Sequence, residues 1–343
     1  MQQRPLGPSG VPVSELALGG MTFGAESDER ESRRMLDRFA DAGGTLIDLA
    51  DVYTAGAAEE ITGRWLAGRG GSEGLVIATK ARHRMGPGPE DVGLGRAHLR
   101  RGVEASLRRL GIEAIDLFQT HAWDPLVPLE ETLEALDGLV REGKIRHVGM
   151  SNVTGWQLQR AVLLARCNGW APVVSLQPQW NLLSREVEWE LIPLCELEGL
   201  AVLPWSPLAG GWLTGKYRRG AEPAGATRLG EDPARGLEAW ARRDRERTWA
   251  VVEEAAAVAR ERGVTPAQVA INWLRRRPAT TSVILGARTA AQLDENLASL
   301  SWELDPAEAA RLDRASAPPT PDYPYGFIDE LDRARRDEAS AGA

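Results

Sequence analysis

Two hydrophobic rhythms alternate along this chain. Short apolar runs rich in Val, Ile and Leu are separated by longer stretches in which apolar positions recur at helical spacing. The runs at 15–18, 45–49, 75–79, 114–119, 146–150, 173–177, 201–205 and 282–285 predict eight strands. The stretches near 28–41, 57–68, 96–109, 129–141, 154–167, 185–198, 246–262 with 266–276, and 290–299 predict the helices between and after them. Strict alternation implies a parallel sheet, and eight such units predict an α/β chain folded as a (β/α)8 (TIM) barrel. No predicted strand runs into a Gly-x-Gly-x-x-Gly turn, which weighs against a doubly wound sheet.

Three segments fall outside this rhythm. Residues 4–13 carry Gly7-Pro8-Ser9-Gly10 between short extended arms and predict an N-terminal β-hairpin that plugs the barrel floor. Residues 216–245 are rich in Gly, Pro, Arg and Glu and follow the seventh strand; a loop of that length is expected to be functional, so it is read as a lid. The tail, 318–343, begins with a proline-stiffened aromatic stretch at 318–327 that is expected to help cover the barrel mouth. Nothing in the pattern calls for a second domain, so 1–343 is read as one barrel domain.

Composition narrows the function classes. The chain has 343 residues, is 43% hydrophobic and 26% charged, and carries a net charge of −8. These values suit a soluble globular protein and argue against a general nucleic-acid or membrane-surface role. The first ten residues hold no apolar signal core and no stretch reaches membrane-spanning length, so a cytoplasmic location is expected. Cys167 and Cys195 fall in helical patterns without metal-ligand spacing and are read as reduced core residues, with no metal expected. Lys80, Lys144 and Lys216 are the lysines among 41 basic residues, so each retained lysine draws notice.

In barrels of this kind the chemistry lies at the C-terminal ends of the strands. Those ends read Gly20-Met21-Thr22, Asp48 with Tyr53, Lys80, and His121 in the first half. The second half reads Ser151-Asn152, Gln177, Trp205-Ser206 and Gly286-Ala287-Arg288. A tyrosine hydroxyl has an ordinary pKa near 10, and an adjacent ammonium is expected to lower it by stabilising phenolate. Lys80 would supply that charge, Asp48 would hold the ammonium in place, and His121 would orient a carbonyl oxygen or share the proton. The set suits delivery of a proton to oxygen while hydride reaches carbon. Singly, each residue has a plainer explanation: Asp48 as a cap or barrel ion pair, Tyr53 as a loop aromatic, Lys80 as a surface charge, His121 as a loop histidine. Their arrival at successive strand ends is what those explanations leave out.

Over essentially its whole length the chain resembles the aldo-keto reductases. The motifs that carry the resemblance are Ile47-Asp48-Leu49-Ala50-Asp51-Val52-Tyr53, Val76-Ile77-Ala78-Thr79-Lys80 and Asp116-Leu117-Phe118-Gln119-Thr120-His121. They continue with Gly149-Met150-Ser151-Asn152, Gln177-Pro178-Gln179-Trp180-Asn181, Pro204-Trp205-Ser206-Pro207-Leu208, and Gly286-Ala287-Arg288 with Gln292, Glu295 and Asn296. The resemblance implies a catalytic set of Asp48, Tyr53, Lys80 and His121, with Tyr53 as general acid. It also implies a nicotinamide dinucleotide at the barrel mouth, NADP(H) in preference to NAD(H).

For that cofactor the resemblance marks Gly20, Met21 and Asp48 as cofactor-binding, and Ser151, Asn152 and Gln177 as partners of the nicotinamide carboxamide. Trp205 matches the aromatic against which the ring stacks; many members have Tyr there, and Trp is found in branches such as the potassium-channel β subunits. Ser206, Leu208, Gly210 and Lys216 match the pyrophosphate loop. Gly286, Arg288, Gln292, Glu295 and Asn296 match the adenosine end, where a guanidinium fork suits a 2′-phosphate. Thr289 to Gln292 also reads as a capping box for the last barrel helix, and Ile284-Leu285-Gly286 departs from the family's Ile-Pro-Gly.

The substrate pocket is expected to hold Phe23, Tyr53, His121 and Trp123, with Trp180, Trp212, Tyr323 and Tyr325 as further aromatic candidates. The implied partner is a small-molecule carbonyl or alcohol: an aldehyde, ketone or keto-sugar. Two other readings stand beside this one. A cofactor-binding, redox-sensing subunit with little turnover would use the same groove, and a Schiff-base lyase would use Lys80 as nucleophile.

Overall fold

The computed structural model describes residues 1–234 and 236–341. Arg235, inside the 216–245 segment, and Gly342 and Ala343, at the end of the tail, lie outside the described residues. Strands β1 (Gln3–Pro5) and β2 (Pro12–Ser14) form an antiparallel hairpin. The barrel strands are β3 (Leu16–Gly19), β4 (Leu46–Asp48), β5 (Val76–Ala81), β6 (Ile115–Thr120), β7 (Ile145–Ser151), β8 (Val173–Gln177), β9 (Ala201–Val202) and β10 (Val283–Leu285). Among the described residues they form one parallel sheet of eight strands in the order β10-β3-β4-β5-β6-β7-β8-β9. A parallel bridge between Val202 and Thr280, and a hydrogen bond from Ile284 N to Pro204 O at 2.9 Å, join its two ends.

The strands were legible because both faces of a barrel sheet are buried, so each reads as a continuous apolar run. The predicted and observed boundaries differ by a residue or two, except at the seventh strand. Pro204 cannot donate to a ladder, and β9 stops at Val202. Helices α1 (Glu29–Asp41), α2 (Ala57–Gly68), α3 (Arg96–Leu110), α4 (Leu129–Arg141), α5 (Gly155–Asn168) and α6 (Leu191–Glu198) cover the outside of the sheet. Their caps are local: Asp28 accepts from Glu31 N, and Thr154 with Gln157 makes a capping box. One face of α1 carries Met35, Leu36 and Phe39 into the outer core.

The hairpin closes the barrel at its N-terminal end, as its sequence predicts. Leu6 and Val13 pack with Ala17, Leu46, Val76, Leu117, Val174 and Ala201 inside the sheet. Burying a side chain like Leu6 contributes about 2 kcal/mol. Gly7 permits this seat, because its φ is +53° and a Cβ there would lie 2.2 Å from Val174 O.

The 216–245 segment is less irregular than its composition predicts. It contains α7 (Arg228–Glu231) and α8 (Trp240–Arg243), each four residues long, before α9 (Glu246–Arg262) and α10 (Pro266–Arg275). Trp240 stacks on Trp212 at 4.8 Å and 15°, and Tyr217 and Trp249 meet the same cluster edge-on. Beyond α11 (Ala290–Leu297) come two helices that the hydrophobic pattern did not disclose, α12 (Pro306–Ser316) and α13 (Phe327–Ala341). No helix among the described residues is long and apolar enough to cross a membrane. Cys195 is buried, and burial pushes its thiol up to about 12. Cys167 is exposed, which corrects its reading as a core residue: it sits on the outer face of α5, opposite the stripe formed by Leu158, Ala161 and Ala165.

Candidate active site

Three strand ends bring Asp48, Tyr53, Lys80 and His121 together. Asp48 ends β4, Tyr53 opens the turn that follows it, Lys80 lies near the end of β5, and His121 follows β6. Lys80 Nζ donates to Asp48 Oδ2 at 2.7 Å and to Leu49 O at 2.7 Å, and lies 3.5 Å from the Tyr53 hydroxyl. Asp48 Oδ1 accepts from the Gln177 side-chain amide at 2.8 Å, with the Gln119 amide at 3.4 Å. Both carboxylate oxygens are therefore engaged, as a buried charge requires.

The electrostatics follow from this packing. Lys80 is fully buried, and burial alone would lower its pKa; the Asp48 carboxylate and the Tyr53 hydroxyl outweigh that effect and hold it above the ordinary lysine value. An ammonium so held is protonated and paired, which is the wrong state for a Schiff-base nucleophile. Burial pushes the Tyr53 hydroxyl above its ordinary value; Lys80 pulls it down and Asp48 pushes it up. The expectation of a lowered Tyr53 pKa is thus corrected, because desolvation of the phenolate exceeds the pull of an ammonium already paired with Asp48. Tyr53 consequently keeps its proton at neutral pH and can donate it. His121 is pushed down to about 2, by burial first and Lys80 second, so its ring is neutral. That ring meets Tyr53 edge-on at 5.9 Å and 81°.

A cavity of about 690 Å³ runs from Tyr53 and His121 across the barrel mouth to Arg288, within the usual size of ligand sites. Of the groups singled out in the sequence for a cofactor, Met21, Asp48, Asn152, Gln177, Trp205 and Ser206 line it. So do Leu208, Gly210, Lys216, Gly286 and Arg288, and on α11 Gln292, Glu295 and Asn296. Gly20 and Ser151 do not: Gly20 N bonds Asp48 O at 2.8 Å, and the Ser151 hydroxyl donates to Gln177 O at 2.6 Å. Asn152, with φ of +52°, sends its amide to His121 O at 2.8 Å, and the Trp205 indole donates to Asn152 Oδ1 at 3.3 Å. Ser206 also has a positive φ, +57°, and such strained backbone clusters at functional sites.

The far end of the cavity gathers Lys216, Arg228 and Arg288, with Glu26 and Glu295 also in its lining. Burial, then Arg288 and Arg228, lowers the Lys216 pKa. Arg288 makes a two-pronged contact with Glu231 of α7 at 3.0 and 2.6 Å, tying the 216–245 segment to the strand-eight loop. The Thr289 hydroxyl caps α11 by accepting from Gln292 N, while Gln292 Oε1 accepts from Arg288 N at 2.9 Å. Gln292 therefore both buttresses the loop and lines the cavity.

The aromatic candidates divide. Phe23, Trp180 and Trp212 are buried in the core and do not line the cavity, which corrects their reading as substrate walls. Phe23 packs beneath Gly20, Trp180 meets Trp273 edge-on, and Trp212 belongs to the Trp240 cluster. Trp123 is half-buried against the exposed Trp156 at 5.6 Å, outside the cavity lining. Tyr325 stacks on Trp189 and donates to Glu190 Oε1 at 2.6 Å, while Tyr323 is exposed. The 318–327 stretch therefore seats on the loop after β8, beside the mouth and not over the cavity. Sequence reasoning missed His83, Thr227 and Arg228, all cavity-lining. His83 carried the one readable signal, a histidine three residues past Lys80.

Asp51, between Asp48 and Tyr53, is buried, and neither carboxylate oxygen has a hydrogen-bond partner among the described residues. Burial first and the Glu59 carboxylate second push it up to about 7, while Arg109 and Lys80 pull the other way. The folded state thus keeps a proton that the unfolded chain releases above its ordinary value, so stability falls as pH rises through about 4 to 7. Asp51→Asn removes this dependence. Between about pH 4 and pH 8 its stability relative to the parent should rise by roughly 2–4 kcal/mol, read from urea midpoints.

With this geometry in view, the relatives are informative. Residues 15–317 match the family model described as Aldo/keto reductase family. The chain is 35% identical to "Protein tas" of Escherichia coli (strain K12), covering 91% of this chain and 97% of that one. It is 37% identical to a "Probable voltage-gated potassium channel subunit beta" of Oryza sativa subsp. japonica, covering 88% and 91%. It is 32% identical to "Aryl-alcohol dehydrogenase [NADP(+)]" of Phanerodontia chrysosporium, covering 94% and 88%. The chain belongs to the aldo/keto reductase family. It is an NAD(P)H-dependent oxidoreductase whose chemistry is carbonyl reduction.

Proposed function

We propose that the protein reduces an aldehyde, ketone or keto-sugar to the alcohol with NADPH, reversibly, and that Tyr53 supplies the proton. The observation that carries this reading is the hydroxyl of Tyr53, kept protonated beside a paired Lys80 and a neutral His121, at one end of a cavity whose other end gathers Lys216, Arg228 and Arg288. The residues present fit a nicotinamide dinucleotide phosphate. Lys216, Arg228 and Arg288 offer cations suited to phosphate. Gly210 and Gly211 keep the backbone low at positive φ, where a Cβ on Gly211 would lie 2.5 Å from Lys216 Cε. Trp205 offers an indole face, and Asn152 and Gln177, beside Ser151, offer amides for a carboxamide.

When bound, NADPH supplies the hydride for the carbonyl carbon. Tyr53 then gives its proton to the carbonyl oxygen, and Lys80 with Asp48 stabilises the phenolate that remains. His121, being neutral, orients the oxygen by hydrogen bonding without adding charge. Met21 and Gly286 would border the cofactor, and Gln292, Glu295 and Asn296 would hold its adenosine end. The 216–245 segment would act as a lid through the contact of Glu231 with Arg288.

Steady NADPH oxidation against a panel of carbonyl compounds, with NADH as control, tests this reading. A single stoichiometric oxidation without turnover would replace it with the redox-sensing role. Arg288→Ala should weaken NADPH binding about 10- to 100-fold by fluorescence titration, through loss of charged hydrogen bonds, and leave NADH binding unchanged. Equal loss for both dinucleotides would remove the 2′-phosphate from Arg288.

A further inference from the structure

His83 lines the same cavity as Tyr53 and His121, yet nothing in the proton donor or the dinucleotide groove uses it. Its ring stands edge-on to His121 at 4.6 Å and 78°, as Tyr53 does from 5.9 Å. His121 thus has Tyr53 as one aromatic neighbour and His83 as another. Among the described residues, no group hydrogen-bonds the His83 ring, and the buried Nδ1 of His121 is also unpartnered. Burial, with Arg82 behind it, lowers the His83 pKa, so the ring enters the cavity as a neutral imidazole with one donor and one acceptor.

A half-buried imidazole without a partner discriminates between substrates. A plain alkyl group laid against it strands its polar atoms, whereas a hydroxyl satisfies them. Sites built around such a bond reject the analogue lacking the hydroxyl far more strongly than an apolar pocket rejects an extra one. We infer that His83 is a specificity-determining residue that hydrogen-bonds a substrate hydroxyl one or two carbons from the carbonyl. The substrate class is then hydroxylated aldehydes and ketones, open-chain keto-sugars among them. This rests on the carbonyl-reductase reading above and adds a substrate requirement to it.

Charge favours a hydroxyl over a carboxylate at this end. The cations that line the cavity, Lys216, Arg228 and Arg288, are at the opposite end, and Lys80 is neutralised by Asp48. Arg82 does not line the cavity.

The test uses the full chain with saturating NADPH and matched carbonyls: glyceraldehyde against propanal, with glyoxylate as the carboxylated comparison. The parent should favour glyceraldehyde in kcat/KM. His83→Leu, close in volume but without polar atoms, should lose about 10- to 30-fold on glyceraldehyde and stay within about 3-fold on propanal. His83→Gln should recover part of the preference, which a purely structural role would not predict. Equal losses on both aldehydes, a loss confined to glyoxylate, or a parent without preference would overturn the inference. A parent that binds NADPH but reduces no carbonyl would instead defeat the carbonyl-reductase reading, and this inference with it.

Discussion

Tyr53→Phe should bind NADPH as the parent does and turn over at least about a hundredfold more slowly, the range expected when a general acid is lost. The substitution removes one oxygen. Its one polar contact among the described residues is the 3.5 Å approach of Lys80, which already holds a carboxylate and a carbonyl oxygen at 2.7 Å. The fold should therefore survive, and kcat should fall while cofactor affinity does not. A variant with near-parental kcat would show that the proton comes from elsewhere, with His121 a poor candidate because burial keeps it unprotonated.

Lys80→Met should cost about 3–5 kcal/mol of stability, the usual consequence of removing one partner from a buried ion pair. Asp48 would remain buried with a full charge and only the amides of Gln177 and Gln119 to solvate it. Turnover should vanish as well, but denaturant midpoints isolate the stability effect. The double variant Asp48→Asn with Lys80→Met should recover most of the loss, since two neutral groups replace an orphaned charge. Additive losses, or a single variant that costs under about 1 kcal/mol, would contradict the view that the pair is energetically coupled.

The parts of this molecule that were legible in its sequence share a cause: their signal is local. Each barrel strand is an apolar run, and Asp48, Lys80 and His121 sit at or just past the ends of three of them, so they followed from counting along the chain. The illegible parts depend on packing partners far away in sequence. Three aromatic residues offered as substrate walls, Phe23, Trp180 and Trp212, are core residues, because nothing in a lone Trp states which way it faces. The four-residue helices α7 and α8 are too short for a period to appear. Helix α12 was readable after all: Asp305 and Glu308 make a capping box around Pro306 at its first turn. The Tyr53 pKa was misjudged because the neighbouring ammonium is visible in sequence, whereas desolvation is not.

The hairpin that floors the barrel also sets the order in which the chain can finish folding. Its residues precede the whole barrel in the chain, yet Leu6 and Val13 rest against Val174, Ala201 and Leu203, and Arg4 reaches the carbonyls of Arg275 and Thr280 at 2.9 and 2.7 Å. Contacts spanning that much sequence form slowly. During synthesis the hairpin must wait, apolar side chains uncovered, until most of the barrel has emerged. A nascent or truncated chain of this protein is therefore open at its base, and its need for protection from aggregation ends only when the last strands arrive.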